Sequence, residues 1–170
     1  IISQLTGAYN FDNLNAAVTF GEFFEIPLSY IQKGIASYTP ENNRSQWIKT
    51  KNNHILLDAY NANPTSMSAA IQSFIEIKAK AKLVILGDML ELGHYTHEEH
   101  QDIINQLKKG GIENAILVGP HFSASKTEGF SAFKNTAEAK KHLANQSILD
   151  HTILIKGSRG IALEQLLDQL

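Results

Sequence analysis

Apolar residues fall along this chain in two rhythms, and the change comes near residue 40. Before it, Asp12 or Asn13 can cap a helix that carries Leu14, Ala17, Val18 and Phe20 on its apolar face. Pro27 and Leu28 then open a second helix, which runs through Ile31 and Ile35 and ends near Tyr38. The stretch 39–45, TPENNRS, combines a proline, two asparagines and charged residues without an apolar period, which is the composition of a linker. The domain boundary is placed there, giving a helical segment with its linker over 1–43 and a second unit over 44–170.

Beyond the boundary, short runs of Val, Ile and Leu alternate with amphipathic stretches. HILLDAY precedes a helix over about 65–80, LVILGD a helix through QDIINQLKK, and NAILVG a short helix. GFSAF then precedes a helix over about 137–143, and TILIKG a last one over about 161–170. Strands that alternate with helices in this way predict an α/β, Rossmann-like fold, with a mostly parallel sheet covered by helices on both faces. Such sheets bind ligands at the carboxyl ends of their strands, which singles out DAYNANP, GDMLELG, GPH and KGSRG.

Composition narrows the setting. The 170 residues are 43% hydrophobic and 19% charged, enough for a proper core in one domain plus an appendage. A net charge of -2, with cations scattered among acids, sets up no field for a polyanion or an anionic membrane, so neither nucleic acid nor membrane is expected as a partner. Cysteine is absent, which removes disulfides and thiolate metal sites, and no apolar run is long enough to span a bilayer; a cytoplasmic location fits. Residues 1–6 lack a starting methionine and read as the end of a buried strand, so the chain is expected to have been cut from a longer protein.

Three strand ends carry candidate chemistry. Asp58 ends HILLD and can accept two hydroxyl hydrogen bonds, the geometry by which an acid holds a ribose diol; Asn61 and Asn63 offer donors and acceptors to a second polar ligand. The same residues equally describe an Asx-type turn that caps the next helix. In GDMLELG, Asp88 or Glu91 can meet a cation or a substrate amine, or Asp88 can simply orient a loop bracketed by Gly87 and Gly93. Lys156, Ser158 and Arg159, set between glycines ahead of the last expected helix, resemble an anion site; a basic surface turn is the alternative. His94, His97 and His100 in GHYTHEEHQ lack the spacing of a zinc-protease motif and read as a solvated helix start. Tyr60, Trp47, Phe23 and Phe24 read as packing residues. The chain has no G-x-x-x-x-G-K-[ST], no G-x-G-x-x-G after a strand and no G-x-S-x-G.

In order along the chain, GAYNFDNLNAA, Arg44, LLDAYNANPTSM, LGDMLELG and KGSRG resemble the successive signatures of the Mur ligase family. DAYNANPTSM followed by LGDMLELG most resembles the branch that adds D-alanyl-D-alanine. The resemblance implies that 1–43 is the tail of a central ATP-binding domain and 44–170 the C-terminal Rossmann-like domain, with the N-terminal domain and the phosphate-binding loop elsewhere in the parent protein. It implies that Asn10 and Asn13 face adenine, that Arg44 lies near the ATP phosphates and that Asp58 holds the ribose. Asn61, Asn63, Asp88, Glu91, Ser158 and Arg159 would receive the dipeptide, and Lys156 and Arg44 would be catalytic. The implied substrates are ATP, UDP-N-acetylmuramoyl-tripeptide and D-Ala-D-Ala, with Mg2+ bridging phosphates through residues upstream. This chain alone is then expected to be inactive. Tyr9 stands where relatives often have histidine, and Ala59 where they often have serine. Two rival readings are a freestanding nucleotide- or amino-acid-binding module and another Mur-type ligase, including the folate and cyanophycin branches.

Overall fold

A computed structural model describes residues 2–5, 7 and 10–170. Tyr9 lies outside the described residues. The expected strand at the start is not present over 2–5, where Ile2 is 83% exposed.

Two helices come first, α1 (Phe11–Phe23) and α2 (Leu28–Ser37), packed as a hairpin. Gly21 of α1 lets Ile31 of α2 approach so closely that an added Cβ would lie 2.6 Å from its terminal methyl. Asn10 stands at the N-cap of α1, two or three residues earlier than expected. The face expected to be apolar and covered is largely open: Leu14 and Val18 are half-buried, while Ala17 and Phe20 are exposed. Phe23 and Phe24 do not pack into a core either. They stack edge to face with each other at 5.1 Å and stay 76% and 67% exposed.

Six strands follow: β1 (Gln46–Lys49), β2 (His54–Asp58), β3 (Ala81–Gly87), β4 (Ala115–Val118), β5 (Ser131–Phe133) and β6 (His151–Lys156). They form one sheet in the order β1-β2-β6-β3-β4-β5, parallel except for the antiparallel edge strand β1. Strand β1, the one strand missing from the sequence reading, is four residues long, and its Trp47 is 40% exposed. Successive residues of the inner strands point to opposite faces. Leu56, Val84, Leu86, Leu117 and Leu154 face α3 (Pro64–Glu76), α4 (Thr96–Lys109) and α5 (Pro120–Ala124). Ile55, Leu57, Ile85, Ile116, Ile153 and Ile155 face α6 (Thr136–Leu143) and the C-terminal turns. The expected Rossmann-like architecture is therefore observed, with a core on each side of the sheet.

Local chemistry sets the helix starts. Asn63 accepts from the Ser66 amide at 2.8 Å while the Ser66 hydroxyl receives the Asn63 amide, and Pro64 occupies the first turn of α3. Asn135 caps α6 through the Glu138 amide. Glu98 and Glu99 at the start of α4, and Lys108 and Lys109 at its end, suit the helix dipole. The last expected α-helix is instead two 3-10 segments, Arg159–Ile161 and Leu163–Gln169, separated by Ala162 in a left-handed conformation. Three residues per turn place Leu163 and Leu166 above one another, and both are fully buried against the sheet.

The strand ends come close at Gly87 and Gly157, where a Cβ on Gly157 would lie 2.8 Å from the Gly87 Cα. Gly157→Ala is expected to cost about 1–3 kcal/mol, lowering the melting midpoint by roughly 2–4 °C per kcal/mol. Gly34→Ala, at a helical position with open space around it, should leave the midpoint unchanged or raise it slightly in the same calorimetric comparison.

Candidate functional site

The parallel register of β2 and β6 sets Asp58 beside Lys156 at the carboxyl ends of two adjacent strands. Lys156 Nζ lies 2.5 Å from Asp58 Oδ2 and also donates to the Asn61 carbonyl at 3.3 Å. The other carboxylate oxygen, Oδ1, accepts the Ser45 amide at 3.1 Å. Lys156 is almost wholly buried, whereas the Asp58 side chain keeps 14% of its surface open. Lys156 therefore neutralises and aims a carboxylate whose remaining lone pairs are available to a ligand. Lys156, expected to be catalytic, lines the cleft described next, and both of the bonds it donates here stay within the protein.

Between this pair and the helical hairpin lies a cleft of ≈ 680 Å³. Leu5, Leu14, Ala17 and Ile35 give it apolar walls; Asn10, Asn13, Arg44, Asp58, Asn61, Asn63 and Lys156 supply polar groups. Asn13 Nδ2 donates to Asn10 Oδ1 at 3.1 Å, and Asn10 is itself buried, 3.5 Å from the Ser45 hydroxyl. Amides on one side of an apolar slot and an aimed carboxylate on the other suit a planar heterocycle joined to a diol. Asn61 and Asn63 are partly occupied locally. Asn61 Oδ1 accepts the Ala62 amide at 2.9 Å, and Asn63 caps α3, the role anticipated in the alternative reading.

A second opening of ≈ 1130 Å³ shares Arg44 and Tyr38 with the first and adds Glu41, Asn42, Tyr60 and Arg159. Sequence reasoning treated Tyr60 as packing. Its ring lies 3.8 Å from the Arg44 guanidinium carbon and 5.3 Å from that of Arg159, and stays 36% exposed. Ser45 was missed altogether. It carries no motif, and its role is a backbone donor placed by a left-handed turn at Asn42, Asn43 and Ser45.

The loop after β3 turns inward. Asp88 is fully buried, accepts the His121 and Phe122 amides at 2.8 and 2.9 Å, and so caps α5. It orients the loop and faces neither opening. Ser158 is also buried: its hydroxyl accepts the Leu90 amide at 3.0 Å, and its own amide donates to the Asp88 carbonyl at 3.1 Å. Glu91 is exposed with a left-handed φ of 65° and lines neither opening. His100, expected on a solvated helix start, is fully buried; its Nδ1 donates to the Thr96 carbonyl at 2.6 Å, and its Nε2 accepts the Met89 amide at 3.1 Å. Among the described residues no three His, Cys, Asp or Glu side chains gather as a metal site. No described helix is long and apolar enough to cross a membrane.

An apolar-walled cleft lined by polar groups at the carboxyl ends of a mostly parallel sheet is what an α/β ligand-binding domain presents, and comparison with known proteins narrows the class. The family model for the Mur ligase, glutamate ligase domain matches residues 43–159. The chain is 31% identical over 179 residues to UDP-N-acetylmuramoyl-tripeptide--D-alanyl-D-alanine ligase of Bacillus subtilis, covering 98% of this chain and 38% of that protein. It is 35% identical over 172 residues to the protein of the same name from Buchnera aphidicola subsp. Baizongia pistaciae, covering 98% and 37%. A crystal structure of MurF from Acinetobacter baumannii superposes with a TM-score of 0.86 at 31% identity, covering 96% of this chain and 38% of that one. This chain belongs to the Mur ligase family. It spans little more than a third of the length of these relatives.

Breaking the Asp58–Lys156 pair by Asp58→Asn or Lys156→Met should cost about 3–5 kcal/mol each, and the double variant much less than their sum, in a denaturant-monitored double-mutant cycle. Burial, the largest influence, holds His100 below its ordinary pKa of 6.5, outweighing the Thr96 carbonyl and Asp88, which favour the charged form. The unfolded chain then binds more protons, so this contribution to stability is intact above pH 6.5 and declines as the pH falls from there toward the depressed value in the fold. His100→Gln should flatten that segment of a melting-midpoint-against-pH profile.

Proposed function

We propose that this chain is the C-terminal part of an ATP-dependent ligase that joins D-Ala-D-Ala to UDP-N-acetylmuramoyl-tripeptide in cytoplasmic peptidoglycan-precursor synthesis. The observation that carries this reading is the convergence of Asn10, Asn13 and Asp58 on one apolar-walled cleft, in a chain whose relatives bear that name. Asn10 and Asn13 read the adenine edge, Asp58 holds the ribose diol with Lys156 fixing its orientation, and Arg44 faces the phosphates. Asn61, Asn63, Glu91 and Arg159 belong to the dipeptide side. Asp88 and Ser158 support that side indirectly, by shaping the loop after β3 and the turn after β6.

The domain division follows the same reading. Residues 1–43 are the tail of the central ATP-binding domain and 44–170 the C-terminal domain. Exposed Phe11, Phe20, Phe23, Phe24 and Tyr30 on the hairpin support this, because isolated soluble domains seldom present so many large apolar side chains together. In the reaction, the tripeptide carboxylate takes the γ-phosphoryl group of ATP, releasing ADP. The dipeptide amine then attacks the acyl phosphate, forming the amide and expelling phosphate. Magnesium, when bound, would supply neutralisation of the phosphate charge, and in this reading the residues that would hold it lie outside those described here. This chain supplies nucleotide and acceptor contacts but not the phosphate-binding loop, and so turns over no substrate alone, because phosphoryl transfer depends on positioned groups from both sides.

The deciding assay supplies UDP-N-acetylmuramoyl-tripeptide, D-Ala-D-Ala, ATP and magnesium to this chain and to its full-length parent. Product from the parent alone is expected. Turnover of a single amino acid in place of the dipeptide would move the acceptor assignment to another Mur branch, and silence of the parent would favour a binding module. Within an active parent, Asp58→Ala and Arg159→Ala should each abolish product formation; near-normal turnover in either variant removes that residue from the site.

A further inference from the structure

We propose that Tyr60 is a positioning residue whose ring holds Arg44 and Arg159 as a pair of oxyanion-binding groups; this rests on the ligase reading above. The three residues come from separate segments: Arg44 from the linker, Tyr60 from the loop after β2, and Arg159 from the 3-10 turn after β6. One ring nevertheless lies within cation–π reach of both guanidinium carbons, at 3.8 and 5.3 Å. The backbone of Tyr60 grips the same linker, its amide donating to the Asn43 carbonyl at 3.2 Å. Asn42 and Asn43 hold consecutive left-handed φ angles of 58° and 60°, so the ring and this bond together fix the exit of a tight turn immediately before Arg44.

Both guanidinium groups line the opening that also contains Glu41, and among the described residues neither is in an ion pair. Their donor forks therefore remain free for a phosphoryl or carboxylate oxygen. Two exposed arginines brought together repel each other and sample many rotamers. The electron-rich ring face offsets part of that repulsion and restricts those rotamers before a ligand arrives. The role belongs to the π face and not to the phenol hydroxyl, which separates Tyr60→Phe from Tyr60→Leu.

The test uses two readouts. In the full-length parent, Tyr60→Leu should lower kcat roughly tenfold with little change in the KM for UDP-N-acetylmuramoyl-tripeptide, the loss of about one exposed-to-buried cation–π contact. Tyr60→Phe should stay within about twofold of the unaltered protein. In the 170-residue chain, NMR of the arginine side chains with inorganic pyrophosphate as probe should show ring-current shifts at Arg44 in the unaltered and Tyr60→Phe forms. Tyr60→Leu should lose them and bind the probe more weakly at an unchanged melting midpoint. If Tyr60→Leu does not fold, Tyr60→Trp decides: its larger π face should bind pyrophosphate at least as tightly as tyrosine. Equal binding by the leucine and phenylalanine forms, equal loss by both, weakened binding by the tryptophan form, or no pyrophosphate binding by the unaltered chain would each overturn the proposal. Failure of the parent to ligate overturns the ligase reading alone, since the pyrophosphate and NMR results stand without turnover.

Discussion

The contact between Lys156 and Asp58 joins two residues 98 positions apart, and the cleft, the linker and the hairpin are organised around it. It exists because β6, last in sequence, inserts between β2 and β3 and pairs in a register that sets the two strand ends side by side. A lysine buried to that degree needs a counter-charge, and a carboxylate serving it on one side can serve a ligand on the other. Ser45 completes the arrangement with a backbone amide, which ties the segment before β1 to the end of β2.

The loops at this end of the sheet divide their work according to burial. Those after β2 and β6 present Asn61, Tyr60 and Arg159 to open space. The loop after β3 folds inward, where the Asp88 carboxylate accepts two amides of α5 and the His100 ring bonds the Thr96 carbonyl at Nδ1 and the Met89 amide at Nε2. A buried polar group without such partners is costly, so these bonds make the loop a rigid support beneath the openings. Gly119, with φ 130°, lies so near the Asp88 carboxylate that a side chain there would displace it, and Gly87 and Gly157 allow the neighbouring strand ends to meet.

The hairpin behaves differently from the sheet. Its two helices pack through Gly21 and Ile31, and it contributes Asn13, Leu14, Ala17 and Ile35 to the cleft, yet most of its large aromatic side chains remain open to solvent. The apolar period in α1 was legible, but a period specifies an apolar side and not what covers it.

The sequence by itself determined the local events: five of the six strands, the six α-helices, the polar strand ends and the stretch 39–45 without helix or strand. Each follows from residues near one another in the chain, such as the β-branched runs, the Asn63–Ser66 cap and the Val-Ile-Leu alternation that feeds both faces of the sheet. The motif resemblance was likewise legible because it is a property of residue order. Tertiary structure alone decided which polar residues meet. Asp88, Ser158 and Lys156 looked like exposed ligand groups in sequence, and the fold buries all three and bonds them to neighbouring loops and strand ends. Tyr60 looked like packing, and the fold brings two arginines distant in sequence within cation–π reach of its ring. Edge strand β1 and the C-terminal 3-10 turns belong with these, since four alternating residues and a Leu163–Leu166 spacing acquire their form only from the sheet they pack against. Strand register and side-chain burial depend on contacts across the whole chain, and no local pattern encodes them.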